Sequence, residues 1–402
     1  VVVFAGADIL TTAVGGIVTL LLARSLSTTQ YGSYSFATSA LAFAAMFFEF
    51  GLFLPTARRL AQGRGHPGEI VAATTAAYLP VGLAFAALVF ALSFGVNNWF
   101  HVDAGAALRL VAPLVLAYPY EFVALLLAQG LDRIRLYSLT RTVARAVALA
   151  ALGGLLLTGH RPSVALALAI ESGALLLAWS AYTLRLRPAY RNLAPQVRGF
   201  VREARRYGFQ VYVGRVLSTG TYNMDTLMVA ALTDARSVGF YALASAIAYP
   251  VALPGAGLGA ALFSRMAREP RLDRSWLLGA GLLSLVAAGV ACVLVRPFIT
   301  LVVGAAYLPV AGLLPPLALA ASVRSVTSIY NNFLAAHARG SELRNASLVL
   351  TSSNLILNFG LIPPFGAAGA AWASLVALLL NLAAHMASYR RVLRALTQET
   401  PA

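Results

Sequence analysis

Three arginines, Arg145, Arg215 and Arg324, and five acids, Asp8, Glu49, Glu121, Glu171 and Asp225, lie inside long apolar segments of this chain. An ionised side chain at the centre of a membrane helix costs roughly 2.5–3.5 kcal/mol on an insertion scale, so each one marks a partner, a wet cavity or a task. A guanidinium is always charged and offers a planar fork of donors to phosphate oxygens. Arginines in a membrane cavity therefore suit a phosphate, and carboxylates suit coupling to a proton or another cation, or pairing with the arginines. Spacing sorts the polar residues onto faces. Arg215, Ser218, Tyr222 and Asp225 recur every three or four residues and make one polar stripe. Arg324, Ser328 and Asn331 make a second, and Thr351, Asn354 and Asn358 a third. In the first half, Asp8, Thr12, Gly15 and Thr19 form the clearest stripe. Polar stripes on several helices imply a shared aqueous cavity. For each residue the alternative is an interhelical hydrogen bond or a buried ion pair such as Arg145–Glu171. Arg145 also stands close enough to one end of its segment to snorkel.

The segments that must hold these residues number twelve: 1–23, 33–57, 70–95, 107–129, 142–158, 163–184, 207–232, 239–264, 276–300, 313–336, 345–362 and 369–389. Hydrophobic residues make up 59% of the 402 and charged residues 11%, with a mean hydropathy of +0.77. A soluble domain carries about 25% charge, and a spanning helix needs about 20 apolar residues. Twelve helices and short loops fill the chain with no room for a soluble domain. Residues 1–23 lack a basic leader and read as a retained helix rather than a signal peptide.

All 30 basic residues are arginine. Without lysine there is no P-loop and no Schiff-base lysine. The single cysteine, Cys292, excludes an internal disulfide. His66, His101, His160, His337 and His385 fall in loops or at segment ends, with no metal-ligand spacing. No serine-nucleophile motif is present, so no cofactor and no catalysis are expected. The net charge of +16 does not indicate nucleic acid, because the arginines alternate with the apolar segments instead of forming one basic surface.

That alternation sets an orientation. Twenty-two arginines fall in every second loop and in the tail after residue 389, five in the other loops and three inside segments. The positive-inside rule places the rich side, and both visible ends, in the cytoplasm of a bacterial inner membrane. Trp99 and Phe100 then lie at the outer interface and Trp276 at the inner one.

The longest loop, 185–206, divides the segments into six and six. Gly32 and Gly239, Tyr34 and Tyr241, Ala37 and Ala244, Arg58 and Arg265, Gly82 and Gly289, Ala128 and Ala335, and Gly153 and Gly360 all pair at one offset, without a gap. Two parallel, pseudo-symmetric six-helix bundles follow: 1–184, a basic linker 185–206, and 207–402. Transporters with parallel repeats bind substrate between the halves and expose the site alternately. The linker from Arg191 reads as an amphipathic stretch on the inner leaflet.

The run Leu22 to Tyr34 (LARSLSTTQYGSY), then Glu49-Phe50-Gly51-Leu52 and Arg58, resembles the opening of Wzx-type oligosaccharide flippases. Asp225 to Leu232 (DTLMVAAL), followed by Val238 to Ala244 (VGFYALA), resembles the start of their second half. The resemblance covers nearly the whole chain. It implies the MATE-like fold of the multidrug/oligosaccharidyl-lipid/polysaccharide (MOP) exporters, with two six-helix lobes around a V-shaped cavity. It also implies flipping of an undecaprenyl-diphosphate-linked sugar to the outer leaflet for surface polysaccharide, O-antigen or exopolysaccharide, without ATP hydrolysis. A lipid-linked oligosaccharide, membrane lipids, a polysaccharide polymerase and glycosyltransferases are the implied partners. Glu49 and Asp225 match recurrent acidic positions beside the motifs.

On physical grounds Arg215 and Arg324 are the expected diphosphate contacts, with Tyr222, Ser218, Asn331, Asn354, Asn358 and Arg145 completing the cavity. Asp8, Glu49, Glu121, Glu171 and Asp225 are the expected sites for a coupling proton or sodium ion. Two rivals stand beside this reading: an ion-coupled multidrug exporter of the MATE type, and a non-transporting scaffold in a polysaccharide assembly complex.

Overall fold

The computed structural model describes residues 2–48, 52–63, 65–191, 193–204 and 221–398, and every regular element among them is helical. Backbone contacts gather residues 3–227 into one compact unit and 228–402 into a second, so the division falls inside the helix Thr221–Leu232.

The first unit holds α1 (Val2–Ser25), α2 (Thr28–Phe47), α3 (Leu54–Ala61), α4 (Pro67–Leu92), α5 (Val96–Phe100), α6 (Gly105–Val111), α7 (Ala117–Gly130), α8 (Ile134–Leu157), α9 (Val164–Arg185), α10 (Leu193–Glu203) and the start of α11 (Thr221–Leu232). Local chemistry fixes the starts. Ser27 Oγ accepts from the Gln30 amide at 3.2 Å while Gln30 Oε1 accepts from the Ser27 amide at 3.1 Å, a reciprocal cap that satisfies two otherwise orphaned donors. Ser163 caps α9 through the Leu166 amide, and Pro67 opens α4 where a missing N–H costs nothing. The core is aromatic. Trp179 stacks on Tyr137 at 5.4 Å and meets Tyr182 edge-on at 5.6 Å, with Tyr78, Tyr120 and Phe53 around them.

The second unit holds α12 (Ala235–Ala248), a 3-10 turn (Tyr249–Ala252), α13 (Leu253–Ala261), α14 (Phe263–Met266), α15 (Arg274–Phe298), α16 (Val310–Ala336) and α17 (Gly340–Gln398). Its core gathers Met266, Ile329, Phe333 and Leu334, with Tyr389 against Phe333. Asp273 caps α15 through the Ser275 amide at 2.8 Å, which holds its carboxyl below the usual carboxylate range. Asp234 caps α12 through the Ser237 amide at 2.7 Å. It stands at the position equivalent to Ser27 in the repeat register, so the two halves begin their second helices with the same device.

Among the described residues seven helices are long and apolar enough to cross a membrane. The twelve expected segments fall mostly on helix where they are described; the first counts only as the shorter apolar helix Leu10–Ser25, and the rest of the difference has local causes. The segment 33–57 is broken between Phe47 and Leu54, and 107–129 is broken by a turn around Pro113. The segments 345–362 and 369–389 are both contained in α17, which reverses at Gly366 (φ 58°, ψ −139°) behind Pro363 and Pro364. A left-handed residue there excludes most side chains. The expected segment 207–232 is described only from residue 221.

One expected boundary is corrected, and the linker gains a contact. Helix α8 begins at Ile134 rather than 142, because the arginines that lower its hydropathy are good helix formers. The linker helix α10 lies on its own lobe: Leu193 and Val197 pack with Leu60 against Ile70 and Ala73, and Arg59 ties it down through Glu203 at 2.7 Å and Gln196 at 3.3 Å. An amphipathic helix takes the nearest apolar surface, and here the C-terminal end of α3 and the N-terminal end of α4 supply it.

Candidate functional site

Five helices of the first lobe, α1, α2, α7, α8 and α9, line a cavity of about 200 Å³. Helix α8 gives it Arg141 and Arg145, one turn apart on one face. Each arginine is answered by a different helix. Arg145 Nη1 donates to Glu171 Oε1 of α9 at 3.2 Å, and Arg141 Nε lies 3.1 Å from Glu121 Oε1 of α7. The first pair is asymmetric: the Glu171 side chain is 7% exposed and that of Arg145 48%. The carboxylate is the buried anchor and the guanidinium faces the cavity. In the second pair both partners are about one-third exposed.

Neutral groups complete the wall. Thr11 of α1 hydrogen-bonds Thr142 of α8 at 2.7 Å, next to Arg141. Tyr137 donates to Glu121 at 3.5 Å and carries the Arg141 guanidinium 5.8 Å above its ring. Tyr34 of α2 brings its hydroxyl to Glu171, and Tyr118 of α7 lies within reach of the Glu171 charge. The cavity thus holds two guanidinium groups and two carboxylates, balanced in charge, with the cation of one pair on the accessible side.

The structure brings Arg145, Glu121 and Glu171 of the expected site residues together here. The Arg145–Glu171 pair is the ion pair weighed against a ligand role for both. Arg141, placed by sequence in a cytoplasmic loop, belongs to the cavity too. So do Thr11, Thr38 and Tyr118, which sequence reasoning passed over. The available signal was the four-residue spacing of Arg141 and Arg145.

Other expected residues lie elsewhere. Arg215, Ser218 and Glu49 fall outside the described residues, as do the side chains of Asp8 and Tyr222. Asp225 is buried in α11. In the second lobe, Arg324 is half-buried on α16 with its guanidinium 5.9 Å from the Tyr249 ring. Helix α16, which carries Arg324, is the most enclosed of the candidate spans among the described residues. Asn354 and Asn358 are fully buried, and Asn358 donates to Asn354 at 3.1 Å. Asn331 is exposed and its amide lies 3.5 Å from His385. That histidine is not at a helix end: it is buried within α17, its Nδ1 3.0 Å from the Asn381 carbonyl.

Among the described residues the protein is all-helical, with seven helices long and apolar enough to cross a membrane, and its fold is shared by solved flippases and multidrug transporters. The lipid II flippase MurJ, in an inward-closed conformation, superposes with a TM-score of 0.78 at 15% identity, covering 97% of this chain and 88% of that one. An inward-facing multidrug MATE transporter of the MOP superfamily gives 0.65 at 12%, covering 97% and 96%. The MATE transporter DinF-BH, in complex with R6G, gives 0.64 at 14%, covering 96% and 93%. Residues 1–252 match the model of the polysaccharide biosynthesis protein family, and the chain belongs to that family. No curated protein sequence matches it.

Proposed function

We propose that this protein flips a polyprenyl-diphosphate-linked oligosaccharide from the cytoplasmic to the outer leaflet of a bacterial inner membrane, by alternating access and without ATP. One observation carries the reading. Within a membrane lobe, Arg145 turns its guanidinium to a cavity while the carboxylate that balances it stays buried behind. Arg141 lies one turn away, so the two β-carbons are about 5–6 Å apart and the pair can bridge neighbouring phosphates. Partial neutralisation there lowers the cost of carrying an anionic head group across a low-dielectric core. Family membership supports a sugar-bearing lipid as the cargo. The arginine bias of alternate loops supports both ends facing the cytoplasm.

Arg324 is the candidate cation of the second lobe, and Arg215 is a further candidate on the sequence stripe it shares with Ser218, Tyr222 and Asp225. Asn331, exposed on α16, stays with that lobe as a sugar-side candidate, whereas Asn354 and Asn358 are buried against each other. Glu121 and Glu171 are the acids best placed to exchange a proton or sodium ion when the arginines change partners, with Asp8, Glu49 and Asp225 as the remaining candidates. The multidrug reading needs a carboxylate available to an organic cation, and both cavity acids are held by arginines.

The test is reconstitution into liposomes with a fluorescent lipid-linked sugar. Arg141→Gln/Arg145→Gln should slow its transbilayer movement about tenfold or more. Adding Glu121→Gln/Glu171→Gln removes the unpaired carboxylates and separates loss of site from loss of fold. Unchanged flipping in the double variant removes these arginines from the site. Export of organic cations by the wild-type chain, with no sugar-lipid movement, replaces the proposal with the multidrug reading.

A further inference from the structure

Helix α9 carries two apolar crevices on opposite flanks near its arginine end. One, of about 280 Å³, lies among α4, α7 and α9 and takes Leu176, Trp179, Ser180 and Thr183 from α9. The other, of about 110 Å³, lies between α8 and α9 and takes Ala178, Ala181, Tyr182 and Arg185. At 3.6 residues per turn these two sets point half a turn apart. Between them runs a ridge of Leu177 and Leu184, which are 69% and 70% exposed. In a helix that crosses a bilayer such leucines meet lipid.

The larger crevice is mostly apolar, and four of its five hydroxyls are used internally, leaving Ser180 at its exposed edge and the Trp179 ring N–H as its polar groups. Tyr78 donates to the Leu116 carbonyl, Thr75 to Val71 at 3.0 Å and Thr183 to Trp179 at 2.8 Å, while Tyr120 and Thr183 share a bond at 2.5 Å. It offers little to a sugar or a phosphate and suits hydrocarbon. At the end of the ridge the chemistry reverses. Arg185 forms part of the wall of the smaller crevice and is exposed, and Arg187 follows, also exposed. Guanidinium groups at the interface attract anionic head groups.

We propose that the arginine end of α9 binds one anionic two-chain phospholipid, with its phosphate on Arg185 and its acyl chains parted by the Leu177–Leu184 ridge into the two crevices. A single-chain polyprenyl phosphate would fill only one of them, so the site belongs to bulk membrane lipid rather than to cargo. The inference needs only insertion in a bilayer and stands apart from the flippase reading.

Native mass spectrometry of the full chain, titrated with phosphatidylglycerol, phosphatidylcholine, lysophosphatidylglycerol or polyprenyl phosphate, tests it. Phosphatidylglycerol should be retained to one per chain in preference to the other three, and Arg185→Gln should weaken its retention about fivefold. Ala181→Phe, which fills the smaller crevice, should erase the advantage of two chains over one. Equal retention of phosphatidylcholine overturns the head-group assignment. Equal retention of the single-chain lipids overturns the two-crevice assignment. Should the variants misfold, phosphatidylglycerol with photoreactive chain ends can be cross-linked to the wild-type protein. Adducts on α4 and on α8 or α9 beside the crevices support the site, and adducts confined to other helices overturn it.

Discussion

The two lobes, matched residue by residue at the sequence offset, differ in what they do with their interiors. In the repeat register Tyr118, Glu121 and Arg145 of the first lobe correspond to Ser325, Ser328 and Ser352 of the second. Tyr118, Glu121 and Arg145 line a cavity. Ser325 instead closes a contact, accepting from the Gly255 amide at 2.8 Å and from Ser284 at the same distance. A methyl on Gly255 would lie 1.8 Å from the Ser325 carbonyl oxygen, so α13 and α16 touch backbone to backbone. The equivalent of Gly255 in the first lobe is Phe48, packed edge-on against Phe85 at 5.0 Å. Even the shared tyrosine changes partner: Tyr34 faces Glu171, while Tyr241 bonds Ser374 at 3.1 Å. Charge and a cavity occur in one lobe where small residues and close contact occur in the other. Helices in lipid thus have two ways to satisfy polar groups, one that leaves a place for a ligand and one that rigidifies.

The sharpest way to break this contrast is to treat equivalent residues alike. Arg145→Ala leaves Glu171 buried and unpaired, at a cost of about 3 kcal/mol, the low end for a broken buried pair because Arg145 is half exposed. Ser352→Ala in the other lobe should cost under about 0.5 kcal/mol, since it removes no charge partner. Thermal unfolding in detergent compares them, and Glu171→Gln added to Arg145→Ala should recover most of the loss. If the two single variants prove equally mild, the first lobe is not organised around its ion pairs.

The next largest effect belongs to the second lobe. Gly255→Ala must push α13 away from α16 and should cost about 2 kcal/mol. Gly289→Ala, where nothing lies within 4 Å of the added carbon, should be neutral or slightly stabilising because alanine is the better helix former. Equal responses at the two glycines would show that the close contact carries no stability.

These two cases also show what the sequence could reveal. The membrane class was readable because it rests on many residues at once, apolar runs of fixed length along the whole chain. The Arg145–Glu171 pair was readable as one of two options, since opposite charges in adjacent apolar segments have few other partners. Arg141 was not, because hydropathy ended its helix at 142 while helix propensity carries it back to Ile134. Nor was the fate of Asn354 and Asn358: a polar stripe has the same spacing whether it faces water or, as here, another buried amide. Spacing gives the face of a helix, and only packing gives what the face meets.

Where the lobes are alike, matched substitutions should match. Ser27→Ala and Asp234→Ala each remove an N-cap that accepts one amide, at 3.2 and 2.7 Å, and each should cost about 1 kcal/mol. Because α2 and α12 begin the same way, a large difference in melting shift between these variants would weaken the case for a common structural repeat.

The smallest effect tests what the first lobe has and the repeat does not supply. Helix α10 lies on that lobe through Leu193 and Val197 and is held by Arg59, 16% exposed, and Glu203, 38% exposed. A pair this near the surface contributes up to about 1 kcal/mol, too little to move global unfolding clearly. It is enough to change how often a short helix lifts, since 1 kcal/mol is about a fivefold change in a local equilibrium. Arg59→Ala should therefore raise amide exchange in residues 193–203 about fivefold while leaving α8 and α9 unchanged. Exchange that stays slow would mean that the apolar contacts with Leu60 and Ile70 hold the linker without the ion pair, and Val197→Asp should then release it where Arg59→Ala did not.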